Sequence, residues 1–402
     1  MAKRLIRFVF DNSILLIVGA ATAVAWANID AAGYHQFVHL RLQLGRWSTS
    51  LQALTNDVLM ALFFGLAGKQ IWQAMLPGGP FHHPRHAMVP LASTLGGMAA
   101  PALVYVLGAA LLGSIAEAGR GWAIPCATDV AFSYMIARLV FGRHHPAIPF
   151  LLLLAIADDF GGLFILGVFY TAEDVHLAWL LLAVLAVALG LAFKAMRVRG
   201  WWWYVLIPGV ISWIGFSLSG VRPALGLLPI IPTLPITNDD ADGDDSDAAE
   251  AEHTLHLFER HLRNPVEVIL GLFGLLNAGV AFSACRPVTF LVLAGLLVGK
   301  PLGIWTGGML TSRIFRTGLP EGLNARDLLV LGCSAAIGFT VSLFVTTVAF
   351  PSGATQDAAR LGALASLLAV IPTFIAARLL GVTKRDEPPP AREERSRHAL
   401  DP

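Results

Sequence analysis

The sequence predicts an all-α polytopic membrane protein of about twelve spanning helices. Three observations predict it. Hydrophobic residues make up 56% of the 402 and charged residues only 14%, where a soluble domain is roughly one quarter charged; mean hydropathy is +0.67. The apolar residues gather into runs of about 20, the length that crosses a bilayer as a helix. Lysine and arginine are shared unevenly between alternate connecting segments.

The runs are 12–29, 57–76, 88–114, 121–142, 147–171, 176–195, 202–219, 221–236, 266–284, 287–311, 325–350 and 356–381. The first follows Lys3, Arg4 and Arg7 in the manner of a signal peptide, but the many spans after it favour a first spanning helix. The sixth is plain aliphatic and suits a lipid-facing position. The seventh and eighth are the weakest, separated only by Gly220, with Pro223, Pro229, Pro232 and Pro235 crowding the eighth. Residues 1–236 thus hold spans one to eight, with an outer loop at 30–55 whose alternation suits a short hairpin. Residues 237–263 form an acidic loop expected to stay disordered through like-charge repulsion. Spans nine to twelve occupy 264–382, and 383–402 form a disordered tail.

Orientation follows the basic residues. With the amino terminus cytoplasmic, the inner segments hold Lys3, Arg4, Arg7, Arg85, Arg143, Lys194, Arg197, Arg199, Arg260, Arg263, Arg313, Arg316, Arg326 and five more in the tail. The outer ones hold Arg41, Arg46, Arg120, Arg222, Arg286 and Arg360. Both termini are therefore expected in the cytoplasm, in a multi-pass protein of the bacterial inner membrane. Trp201, Trp202 and Trp203 suit an interfacial aromatic belt. His144 and His145 are expected in a solvated loop.

Ionisable groups within spans are costly and mark function. Asp158 and Asp159 stand side by side in the fifth span. Neighbours on a helix point about 100° apart, so the pair must face a cavity or partner helices. Two carboxylates in one dry site cannot both stay ionised without a cation; either an ion or protons neutralise them. That competition is the chemistry of cation/proton exchange, and oxygen ligands suit a small hard cation, sodium or lithium. Lys300, mid-span before Pro301, suits pairing with Asp158, either carrying a proton or only holding the ion pair. Thr128 and Asp129 follow Pro125 and small residues that favour a break in the fourth span. Gly338, Phe339 and Thr340 mark a matching weak point in the eleventh. Paired interrupted spans point to a binding site made of broken helices, whose ends Asp129 and Lys300 are placed to neutralise. Asn56 and Asp57, near the outer end of the second span, are either accessory to the site or an N-cap.

At these residues the chain resembles the NhaA family of bacterial sodium/proton antiporters. The resemblance runs from Asn56 to Arg378. It is carried, in order, by Asn56-Asp57-Val58-Leu59-Met60, Ala127-Thr128-Asp129-Val130-Ala131-Phe132, Asp158-Asp159, Asn277-Ala278-Gly279-Val280, Gly299-Lys300-Pro301-Leu302-Gly303, Leu319-Pro320-Glu321-Gly322 and Ile337-Gly338-Phe339-Thr340-Val341-Ser342-Leu343-Phe344. It implies inverted repeats of spans three to five and ten to twelve with crossing broken helices. It implies that Asp158 and Asp159 carry cation and protons alternately, Asp159 being the most direct ligand, with Asp129 assisting and Lys300 paired to Asp158. It also implies electrogenic exchange by alternating access, in pH and sodium homeostasis, and a homodimer formed through the outer hairpin. The chain departs from the family at Ala67-Gly68-Lys69-Gln70-Ile71-Trp72-Gln73-Ala74, where a charged cluster associated with pH activation is missing. It departs again at Arg222-Pro223-Ala224, where a histidine motif stands in the family.

Other classes fit less well. An intramembrane aspartyl protease also uses two aspartates, but the Tyr-Asp and Gly-x-Gly-Asp contexts are absent, so no enzyme is expected. A degenerate homologue that senses ions or serves as a structural partner remains the alternative, raised by the missing cluster. The acidic segment lacks EF-hand spacing, and the three cysteines, in apolar runs, read as small buried hydrophobes. Nothing in the sequence calls for a cofactor or nucleic acid.

Overall fold

The computed structural model describes residues 13–44, 47–82, 84–171, 174–198, 200–235, 246–316, 318–382 and 384. The basic amino terminus, residues 236–245 of the acidic segment and the tail beyond Lys384 lie outside the described residues. The elements are α1 (Ile14–Ile29), α2 (Ala31–Val38), β1 (Arg41–Leu44), β2 (Trp47–Ser50), α3 (Leu51–Met75), α4 (Pro84–Leu111), α5 (Ile115–Cys126), α6 (Val130–Phe141), α7 (Ala147–Phe169), α8 (Leu177–Ala195), α9 (Trp201–Ser219), α10 (Pro223–Thr233), α11 (Ser246–Asn277), α12 (Pro287–Ile314), α13 (Ala325–Ser334), α14 (Phe339–Ala349) and α15 (Ala354–Leu380). Among the described residues seven helices are each long and apolar enough to cross a membrane. The pairs α5/α6 and α13/α14 meet the same test together, bent by 53° and 56°. Helices α1 and α10 are apolar but shorter.

Two bundles share one core. In the first, α1 packs on α11, α8 on α9, and α3 on α10 and α11. In the second, α4 packs on α12 and α7, α12 on α15, and α5 on α14. The bundles meet where α3 faces α7 and α11 faces α14. The triplets α4 to α7 and α12 to α15 are each built around a broken middle helix. Helices α4 and α12 approach closely because Gly96 and Gly303 face each other: a Cβ on either would overlap the other's carbonyl oxygen. Without a hydrophobic force between helices in lipid, such backbone contact is a main source of attraction.

One end of the molecule, the near end, carries the start of α1; the far end carries its finish. At the far end the antiparallel hairpin pairs Arg41 with Ser50 and Leu44 with Trp47. Helix α8 leaves Leu181, Val184, Leu185 and Leu191 exposed, as its aliphatic sequence requires in lipid.

Several expectations change. The second span begins at Leu51, not near 57, because the Ser50 hydroxyl accepts from Ala53 N at 3.0 Å and caps it; Asn56 and Asp57 are therefore not the N-cap. They lie in a π-helical turn, Thr55–Leu59. The eighth span is two short 3-10 segments, buried against α3 and α8, because its prolines remove the donors a full helix needs. Helix α11 starts at Ser246 and ends at Asn277, so residues 246–263, read as loop, are helical and continuous with the residues expected to open the ninth span. Propagating an existing helix needs no new nucleus. His145 is buried rather than solvated, and its Nδ1 accepts from Ala147 N at 3.1 Å at the start of α7. Of the cysteines, Cys285 is exposed, since the helix before it stops at Asn277.

Candidate ion-binding site

The breaks in α5/α6 and α13/α14 lie against each other. Residues 127–129 and 335–338 leave the helical path, so backbone groups there need partners from elsewhere. Each strand of the crossing supplies the other. Asp129 N donates to Ile337 O at 2.7 Å, and the Thr128 hydroxyl donates to Ala335 O at 3.2 Å. A Cβ on Gly338 would crowd the Ser342 hydroxyl, so the crossing needs glycine there. Pro125 closes the 3-10 half of α5 and abuts Gly295 of α12. Phe339 stacks edge-on to Phe132 with centroids 5.6 Å apart.

Asp129 caps two helices at once. One carboxylate oxygen accepts from Phe132 N at 3.2 Å, at the start of α6. The other accepts from Thr340 N at 3.2 Å and the Thr340 hydroxyl at 2.8 Å, at the start of α14. A helix N-terminus carries roughly half a positive charge, so a single carboxylate faces two such ends. Lys300 serves the opposite polarity. Its ammonium donates to Cys126 O, the carbonyl end of α5, and to Asp158 Oδ2 at 3.0 Å. Both side chains of this ion pair are buried. Lys300 follows a π-helical turn, Gly295–Gly299; Pro301 has no N–H for the carbonyl four residues back, which loosens the helix there. Ser342 completes the end of α5, donating to Ile124 O at 2.6 Å.

The carboxylate neighbours are divided by the helical turn between them. Asp158 is buried against Lys300, and its Oδ1 has no hydrogen-bond partner. Asp159 is half-buried and lies within electrostatic reach of Asp158, Asp129 and Lys300. Asp159, Asp129, Thr128 and Thr340 line a cavity of about 240 Å3 whose near-end rim includes Ser13 and Glu267; the Ser13 hydroxyl donates to Glu267 at 3.1 Å. Among the described residues no three His, Cys, Asp or Glu side chains form a metal cluster. A cation here would take carboxylate oxygens supplemented by hydroxyl, carbonyl or water oxygens, a set suited to a hard ion.

Asn56 and Asp57 do not join this group. Asn56 exchanges amide hydrogen bonds with Asn277, at 3.0 and 2.9 Å. The Asp57 carbonyl accepts from the Trp213 indole at 2.8 Å. Nothing in the sequence marks Ser342 or the Cys126 carbonyl for a role. A serine within an apolar motif carries no signal of what it will cap.

The comparisons decide the family. A model of the family described as Na+/H+ antiporter 1 matches residues 3–377. The chain belongs to that family. It is similar to the Na(+)/H(+) antiporter NhaA of Jannaschia sp. (strain CCS1), 46% identical over 95% of this chain and 99% of that protein. The Na(+)/H(+) antiporter NhaA 2 of Pelobacter propionicus is 42% identical over 95% of this chain and 99% of that protein. The Na(+)/H(+) antiporter NhaA of Desulfitobacterium hafniense (strain DSM 10664 / DCB-2) is 41% identical over 95% and 97%. Family membership makes the chain an integral membrane protein and gives its all-α, polytopic architecture.

Proposed function

We propose that this chain exchanges sodium or lithium ions for protons across the bacterial inner membrane, by alternating access, in the service of pH and sodium homeostasis. The observation that carries this reading is the division of the carboxylates. Asp159 faces a cavity, while Asp158 is held on a buried lysine with one oxygen unsatisfied. A cation entering from the near end meets Asp159 first and displaces its proton. Asp158 then contributes its free oxygen, and the Asp158–Lys300 pair gives up a second proton. Two protons leave for one cation, so each cycle moves net charge. The crossing ends at Asp129 and Thr128 give the site backbone polarity without further charged groups.

The excess of Lys and Arg in alternate loops supports a cytoplasmic position for the near end and both termini. The hairpin at the far end suits a homodimer, with the two copies' strands joined edge to edge. The test is proton movement in everted vesicles from an antiporter-deficient host, on adding sodium or lithium between about pH 6.5 and 9. Wild type should collapse the proton gradient and Asp159→Asn should not. Silence from well-expressed wild type at every pH would sink the antiporter reading and promote a non-transporting homologue.

A further inference from the structure

On the far side of the site, the approach to Asp159 is closed. Leu163 and Leu166, one and two turns beyond Asp159 on α7, are buried. Above them the carbonyl ends of α7 and α14 converge on one side chain. Arg222 Nε donates to Tyr170 O at 2.8 Å, and an Nη2 donates to Val348 O at 3.5 Å. Tyr170 is the C-cap of α7, and Val348 lies in the last turn of α14. The final carbonyls of a helix have no intrahelical partner, and they carry its negative end; a guanidinium there satisfies both needs.

Arg222 belongs to the other bundle. It sits in the short link between α9 and α10, held between Gly220, which takes a left-handed conformation (φ 84°), and Pro223 at the start of α10. Helix α10 packs on α3 and α9. The charged groups acting on Arg222 are Asp57 of α3 and Arg120 at the far end of α5. The arginine thus reaches from the bundle of α3, α9 and α10 across to the bundle that carries the ion site. It grips that bundle at the two helices that hold Asp159 and Thr340.

We propose that Arg222 is a positioning residue, the latch that keeps the far-side route shut while the near-side cavity is open. It must release the Tyr170 and Val348 carbonyls for Asp159 to be reached from the far side. The inference rests on the alternating-access reading. Because a guanidinium stays charged at every physiological pH, the latch does not titrate; it is opened by movement of the bundles.

The test reads accessibility, not transport. With Cys126, Cys285 and Cys333 replaced by alanine, a single cysteine is placed at Leu163→Cys, on the far side of Asp159, or at Ala67→Cys, in the near-side cavity wall. A membrane-impermeant methanethiosulfonate is applied to one face of oriented proteoliposomes. Losing two charge-assisted hydrogen bonds shifts a two-state balance by about tenfold or more. Arg222→Ala should therefore speed labelling at 163 from the far face about tenfold and slow labelling at 67 from the near face. Arg222→Lys keeps the charge but not the fork, so it should fall between. Unchanged rates at both positions in folded protein overturn the latch, as does a rise at both together, which marks general loosening. If Arg222→Ala does not fold, Arg222→Lys decides by the same opposed shifts. Labelling needs no sodium coupling, so opposed shifts in a chain that moves no protons would leave the latch standing and reject the antiporter reading instead.

Discussion

Asp129 shows how much one residue does at a broken helix. Its two oxygens cap α6 and α14 together, so Asp129→Ala should cost more than one ordinary cap, which contributes about 1 kcal/mol. We expect a lower Tm for Asp129→Ala than for Asp129→Asn, measured in detergent; equal values would mean that the double cap adds nothing. Lys300 and Asp158 pose a different balance. Removing one member of a buried pair leaves an uncompensated charge, a loss of about 3–5 kcal/mol. Lys300→Met should therefore lower Tm sharply, and the double variant with Asp158→Asn should recover part of the loss. If the double variant is worse than both singles combined, the pair is not the reason for the burial. The charged residues were legible in the sequence because an aspartate or lysine in an apolar run stands out. Their partners were less so: the second cap from Thr340 and the grip of Arg222 depend on segments 52 to 211 residues apart in the chain.

At the scale of elements, the breaks were legible from Pro125 and from the small residues before Thr340, because proline and glycine act locally on the backbone. The length of α11 was not. Charge density predicts an open segment, yet the helix that runs on to Asn277 carries the segment onward. That extension has a use: Glu259 reaches Lys69, which is otherwise buried in α3. The missing charged cluster of the second span is thus met here by one lysine with a partner from α11. The contact of α4 with α12 is the other element-scale feature. Gly303→Ala should lower folded yield and Tm far more than Gly162→Ala, since a Cβ at Gly162 meets nothing within 4 Å while one at Gly303 overlaps the backbone of Gly96. Similar Tm values for the two would show that the helices have room to part.

At the scale of the whole molecule, the two bundles touch along α3 with α7 and along α11 with α14, and an apolar cleft of about 700 Å3 lies beside the first of these lines, walled by α3, α4 and α7. The hairpin stands apart from both, at the far end. On the proposed dimer, deleting residues 41–49, which spares the Ser50 cap, should leave a monomer by mass measurement in detergent while each chain keeps the proposed proton exchange. A dimer that survives the deletion would move the interface to another face.

The crossing at Asp129 and Lys300 has one more consequence, for how the membrane voltage acts. Four half-helix ends meet there, two positive and two negative, and they sum to zero. What remains is the fixed charge of Asp129 together with Asp158, Asp159, Lys300 and their load. With two protons aboard, one on Asp159 and one on Lys300, the bundle carries one negative charge; with one monovalent cation in their place it carries two. On the proposed cycle the voltage therefore works harder on the cation-loaded leg, by about 2.3 kcal/mol per 100 mV for a full crossing. An interior-negative potential pushes that leg outward and opposes the return of the protonated bundle. Sodium exit from vesicles clamped with potassium and valinomycin should quicken with interior-negative voltage, and equal acceleration of the return leg would place the charge elsewhere.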